Sequence, residues 1–214
     1  MYTYFPSCNF GAMCPETAKK IESYLTPHMP KTVCCRLDKN EYTKDDTGVY
    51  LCQACREVME QKLHVGTLTL WEYIDADESF AFPDYSGLKV TIQDCWRDRE
   101  HPEIHAAVRN LLRKMNVEFV DIEGEAREKS TFCGDLHYEP KRPENIATAA
   151  EYAAGGEPLF KAPPEVMARL MSEQAEKIHT EWAVTYCNRC TRTLRMGGAN
   201  AVHVAELLFG DFKR

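Results

Sequence analysis

The chain has 214 residues, 44% hydrophobic and 28% charged, which is the composition of a folded globular protein and excludes a disordered one. Its 33 acidic and 26 basic side chains leave a net charge of −7, which repels a phosphate backbone, so nucleic acid is not expected as a partner. No stretch approaches the roughly 18 consecutive apolar residues of a membrane span. Met1 to Cys8 also lacks the basic region and apolar run of a secretory signal, so no membrane span is expected and the expected compartment is the cytoplasm.

In chain order, Tyr2–Phe5 reads as a strand leading to Cys8, residues 16–25 as a helix, and Gly48–Leu51 as a strand leading to Cys52. Asp75 to Gly87 is acidic, contains Pro83 and Gly87, and reads as a linker or loop. Lys89–Asp94 is a strand that delivers Cys95 at its C-terminal end. Pro102 then opens a helix whose Ile104, Ala107, Val108, Leu111, Leu112 and Met115 follow the 3.6-residue period, with the Lys and Arg side chains of 109–114 as its solvated face. Val117–Ile122 reads as another strand, and Glu139–Lys161, with Pro140, Pro143 and Pro158, as an insertion or long loop. A helix over 163–178 turns Met167, Leu170, Met171, Ala175 and Ile178 inward. Trp182–Tyr186 is a strand ending at Cys187, and Ala201, Val204, Ala205 and Leu208 predict a final helix.

Alternating strands and helices predict an α/β fold: two pseudo-repeated halves, residues 1–87 and 88–214, with mostly parallel strands. Ligands of open α/β sheets gather outside the carboxyl ends of the strands, where Cys8, Cys52, Cys95 and Cys187 are all placed.

The 10 cysteines are too few for a disulfide scaffold in a chain long enough to bury a core, and in a reducing compartment they point to metal, iron–sulfur or redox chemistry. They fall into two sets of the same order: Cys8, Cys34–Cys35 and Cys52-Gln-Ala-Cys55, then Cys95, Cys133–Gly134 and Cys187-Asn-Arg-Cys190. A C-x-x-C at a helix start keeps two sulfurs within reach of one ion and lowers their thiol pKa. Four thiolates suit a tetrahedral zinc ion or a cubic iron–sulfur cluster, and five, two of them adjacent, suggest bridging thiolates in an unusual cluster. Cys14, which has no counterpart in the second set, is expected to be a buried or helix-start thiol.

These motifs, with Tyr4-Phe-Pro-Ser-Cys8, Val33-Cys-Cys35, Gln93-Asp-Cys95, Tyr186-Cys-Asn-Arg-Cys190 and the tail His203-Val-Ala-Glu-Leu-Leu208, resemble the cysteine-rich CCG-domain family, whose best-known member is the CCG-containing subunit of heterodisulfide reductase. The resemblance spans nearly the whole chain. It implies an oxidoreductase subunit whose noncubane iron–sulfur unit (4Fe–4S type) binds and cleaves a small disulfide with electrons from a companion iron–sulfur or flavin subunit. It also implies that one domain of some relatives holds zinc. Carried over, Cys8, Cys34, Cys35, Cys52 and Cys55 hold the first cluster, with Cys34 and Cys35 at the catalytic centre. Cys95, Cys133, Cys187 and Cys190 then form a second metal site holding zinc or a second iron–sulfur cluster.

The chain departs from the family pattern where Arg36 replaces the glycine of the first Cys-Cys-Gly, where Phe132 replaces the first cysteine of the second, and in the short gap from Cys35 to Cys52. The second set therefore has only four sulfurs, so the redox chemistry is expected in the first half. Arg36 adds a positive charge there that can raise the potential or attract an anion. His137 and Trp96 are candidates to flank or shield the second site. The competing reading is a non-enzymatic, zinc-binding assembly or structural module on the same duplicated scaffold.

Overall fold

The fold is that of a computed structural model describing residues 1–152 and 162–213. Strands β1 (Tyr2–Phe5), β2 (Thr47–Tyr50) and β3 (Gly66–Thr69) form one parallel sheet in that order. Strands β4 (Lys89–Gln93), β5 (Glu118–Asp121), β6 (Trp182–Thr185) and β7 (Ala201–His203) form a second parallel sheet in the order β5-β4-β6-β7. The helices are α1 (Cys8–Met13), α2 (Pro15–Leu25), α3 (Gln53–Val58), α4 (Leu70–Asp75), α5 (Pro102–Lys114), α6 (Pro143–Tyr152), α7 (Pro164–Ala175), α8 (Asn188–Met196) and α9 (Val204–Leu208). The chain is thus α/β, with two parallel sheets drawn from its two halves.

The local chemistry explains these elements. Proline opens α2, α5 and α7, where its missing N–H costs nothing. Helix α5 buries Ile104, Ala107, Val108, Leu111 and Leu112 along one stripe, and the chain leaves it through Asn116 in the left-handed region (φ 56°). Strand β3 runs straight into α4 through a capping box of Thr69 and Glu72, and β7 runs into α9 through the matching box of His203 and Glu206. Along the first sheet, Tyr4 and Val49 face a large core shared with the second sheet, whereas Phe5 and Tyr50 face a smaller cluster that contains Cys35, Cys52 and Cys55.

Three expectations change. Ala201–His203 is a strand, not the start of the last helix, because it pairs with Ala183–Thr185 of β6. Arg109 does not belong to a solvated face: it is 2% exposed and ion-paired to Asp94 and Asp121. The insertion at 139–161 carries helix α6, tied to α7 through Asn145 and Glu173 (2.8 Å), and its remainder at 153–161 lies outside the described residues. The loop expected over 75–87 is present: past Asp75, the last residue of α4, it holds no helix or strand, and its Phe80 and Phe82 pack on the shared core beside Tyr24. Among the described residues no helix is long and apolar enough to cross a membrane.

His203 shows how tightly the halves are joined. Its ring is fully buried, 4.8 Å from Phe10 of the first half, and its Nδ1 accepts the Ala205 N–H that caps α9. Burial depresses its pKa from 6.5 to about 3. Between those values the native chain binds fewer protons than the unfolded one, so stability rises with pH and is lost on acidification, by at most about 1.4 kcal/mol per pH unit. His203→Asn keeps a capping acceptor and should flatten the fall in thermal stability between pH 6 and pH 5. An unchanged slope in that variant assigns the acid sensitivity to other groups.

Candidate metal and redox centre

Parallel register sets the positions of the cysteines. Gln93 of β4 sits opposite Thr185 of β6, and the chain reaches Cys95 and Cys187 two residues beyond each. Cys52 lies likewise two residues past the end of β2. Cys52 caps α3 and Cys187 caps α8, so each C-x-x-C closes on the first turn of a helix whose free N–H groups face the sulfurs.

In the second half this brings Cys95, Cys133, Cys187 and Cys190 together, with all four sulfur atoms within 4.8 Å of one another. Their residues are 0–5% exposed, and the Cys95 and Cys133 sulfurs are 3.4 Å apart. A tetrahedron of thiolates at zinc–sulfur distance has edges of about 3.8 Å, so the group is close to the size that one ion demands.

The supports of this nest are fixed. The Cys95 N–H donates to Tyr186 Oη (3.2 Å), whose hydroxyl donates to Asp94 (3.0 Å), itself held by Nη1 and Nη2 of Arg109. The Cys133 N–H donates to the His137 carbonyl (2.7 Å), and the Trp96 N–H to the Phe132 carbonyl (3.0 Å). Gly134, at φ 58°, packs directly on Thr193 of α8, and any Cβ there would collide with that side chain. Electrostatics agree with cation binding. Hydrogen bonds from Cys133, Cys190 and Cys95 hold the Cys187 thiol well below its ordinary pKa, while burial pushes Cys95 and Cys190 well above theirs. One thiolate is thus cradled by protonated neighbours, and a bound cation would displace their protons.

Cys8, Cys34, Cys35, Cys52 and Cys55 form a looser array. Cys55 interacts with both Cys35 and Cys52, while Cys34 interacts with Cys35 and with Cys8. They do not close into a compact nest like the second set. Hydrogen bonding from Cys55, offset by burial, lowers Cys52 to about 6 and Cys35 to about 7, and the charge of Arg36 also favours the Cys35 thiolate. The same contacts push Cys55 far upward. Burial and the Cys34 neighbour raise Cys8, the exposed member. Cys14 stands apart, a buried residue at the start of α2 raised to about 12.

Between the two sets lies a cleft of about 430 Å³ bordered by Cys52 from one and Cys187 from the other. Sequence reasoning missed three of its arginines, Arg97, Arg189 and Arg192, because only the tertiary fold turns them to one place. It missed Gln53 and Asp98 as well: the Asp98 carboxylate, next to the second set, accepts from Gln53 (2.8 Å) and Arg56 (2.6 Å) on α3. Trp96 stacks on His137 at 4.0 Å, with the Arg99 guanidinium 4.4 Å from the Trp96 ring centre. No family model, curated protein or solved structure matches the chain.

Proposed function

We propose that the chain is an iron–sulfur redox subunit of the CCG type, in which Cys95, Cys133, Cys187 and Cys190 hold a zinc ion and Cys8, Cys34, Cys35, Cys52 and Cys55 hold an iron–sulfur cluster. The observation that carries this reading is the contrast between the two sets: one is four buried sulfurs all close to one another, and the other is a chain of pairwise contacts from Cys8 through Cys34, Cys35 and Cys55 to Cys52, exposed at Cys8 and bordered by a cleft at Cys52. A single ion needs its thiolates close together, whereas a multi-iron cluster binds each thiolate to a different iron and spreads them. The five-sulfur chain, with Cys35 and Cys52 lowered in pKa and Cys55 touching both, fits the second demand.

A cluster there would supply electrons one at a time to a disulfide, for a net R–S–S–R′ + 2e⁻ + 2H⁺ → RSH + R′SH, with the electrons drawn from a companion flavin or iron–sulfur subunit. The chain's own residues set the stage. Phe5, Tyr50, Met59 and Val65 wall Cys35, Cys52 and Cys55 off from solvent on one side. The backbone N–H groups of Ala54 and Cys55 stabilise negative charge on Cys52. Gln53 and Arg56 hold the start of α3 against the second set.

The burial and compactness of the four-thiol nest also favour a second reading, a zinc-binding module without redox chemistry. Anaerobic purification with iron, sulfide and zinc assays, plus electron paramagnetic resonance of the reduced protein, separates the two. The redox reading expects a brown protein with iron and sulfide in the first set and zinc in the second. Colourless protein holding zinc alone after anaerobic reconstitution supports the module. Cys35→Ser should abolish the cluster spectrum, cut iron at least severalfold and leave zinc in place. An unaltered spectrum removes Cys35 from the ligand set.

A further inference from the structure

Helix α3 carries Cys52 at its cap and Cys55 in its first turn, yet it has little of its own to hold it in place. A helix of six residues is too short to be stable by itself. The hydrophobic cluster beneath it is small, and three of its buried members are the cysteines Cys35, Cys52 and Cys55. At its far end the chain passes through a π-helical turn, Met59–Leu63, and leaves it through His64 in the left-handed region (φ 53°). Local stability follows the contacts of each element, so the position of α3 depends on what it touches across the molecule.

What it touches is a turn of the second set. Arg56 and Glu57 stand three and four residues after Gln53, so the three share one face of α3. Gln53 Nε2 and Arg56 Nη1 donate to Asp98 (2.8 and 2.6 Å), Arg56 Nη2 donates to the Arg97 carbonyl (2.6 Å), and Glu57 accepts from Arg97 Nε (2.9 Å). That turn belongs to the four-thiol nest. It starts on Cys95, whose carbonyl accepts the Asp98 N–H (2.9 Å), and its Trp96 N–H is bonded to the Phe132 carbonyl, one residue before Cys133. Gln53 Nε2 also lies 3.5 Å from the Tyr186 carbonyl, one residue before Cys187. The clasp thus meets the backbone at or beside three of the four nest cysteines.

We infer that the nest controls the first set: an ion held by Cys95, Cys133, Cys187 and Cys190 positions Cys52 and Cys55 through the turn at 95–98 and α3. The inference rests on the proposed function for the metal in the nest and for what the first set then binds. Closing four sulfurs on one ion fixes the places of Cys95 and Cys133, and with them the turn. The turn passes this on through charge-assisted hydrogen bonds, which are short and directional and weaken steeply when bent. The nest is therefore filled first, and the first set is assembled on an α3 that is already in position.

Anaerobic amide hydrogen exchange of the full chain, metal-depleted and with one equivalent of zinc, tests this, with zinc assayed in each sample. Zinc should slow exchange at the amides of 55–58 at least fivefold, the low end of site-to-site coupling, beyond any slowing in α2. Helix α2 belongs to the same half but is tied to Asp211 through Thr17 and Lys20, so it reports global stability alone. Arg56→Met together with Asp98→Leu keeps the volume of the clasp without its directed bonds and should cut the α3 effect at least threefold. Glu57→Gln, at a side chain 44% exposed, trims one contact without threatening the fold and should give an intermediate value. Equal slowing in α2 and α3, or an α3 effect undiminished in both variants, overturns the inference. So does an effect that persists in Cys133→Ser, because the zinc would then sit on the first set itself. Failure to take up zinc overturns the inference together with the metal reading of the nest. An α3 that responds to zinc in a protein whose first set accepts no iron or sulfide leaves the coupling standing and overturns the redox reading.

Discussion

Removing metal from the four-thiol nest with a strong chelator under anaerobic conditions should lower the melting temperature by about 8–16 °C, and Cys190→Ser should do the same without chelator. The size follows from linkage. An ion present at a thousand times its dissociation constant stabilises the native state by about 4.1 kcal/mol, and in a domain of this size each kcal/mol moves the midpoint by about 2–4 °C. Structure dictates that the loss is not softened by water, since Cys95, Cys133 and Cys190 are 0% exposed. Without a cation the native chain must keep four buried sulfurs around one stabilised thiolate, Cys187, while the unfolded chain solvates each of them. Differential scanning calorimetry with zinc and iron assays on the same samples measures both quantities. A midpoint indifferent to chelator, in protein carrying no metal, would mean that the nest is a packed core of thiols.

How much of this could be read from sequence depended on whether the deciding contact was local. Cys52, Cys95 and Cys187 each follow a strand by two residues, so alternation and spacing placed them at the sheet edges, and parallel register then placed Cys95 beside Cys187. The second set closes because these rules act over short spans and Gly134 permits close packing on α8. Strand β3 and helix α4 escaped notice even though Thr69 and Glu72 spell a capping box, because Gly66-Thr-Leu-Thr69 has a single apolar side chain, Leu68, and so no apolar pattern to mark it. Ala201–His203 has helical spacing with Val204 and Leu208, yet its backbone pairs with β6, a tertiary preference that outweighs local periodicity. Charge was the least legible feature. Arg109 sits in a basic stretch that looks solvated, and its partners Asp94 and Asp121 lie 15 and 12 residues upstream and downstream. The cleft arginines come from three separate segments, and no local pattern announces their convergence.

Asp98→Ala should destabilise the chain by about 3–5 kcal/mol, the usual result of leaving a buried cation without its partner, whereas Asp98→Asn should cost clearly less, about 1.5–3 kcal/mol. Asp98 is completely buried, and its two oxygens accept from Arg56 Nη1 (2.6 Å) and Gln53 Nε2 (2.8 Å), while Arg56 Nη2 donates to the Arg97 carbonyl (2.6 Å). Gln53 and Arg56 flank Cys55 on α3, and Asp98 closes the short turn that begins at Cys95, so this carboxylate fastens one cysteine set to the other. The alanine variant strands the Arg56 guanidinium in a place that is 7% exposed. Asparagine keeps an acceptor for it, and burial, which raises the Asp98 carboxyl to about 6 against the pull of Arg56, already makes the ionised form expensive to hold. The same reasoning predicts that Arg56→Met together with Asp98→Leu is far milder than Asp98→Ala alone, because an apolar pair of similar volume removes both desolvation penalties at once. Chemical denaturation of the single and double variants reads these differences directly. Equal losses for alanine and asparagine at 98 would show that the size of the side chain, not the ion pair, holds α3 in place.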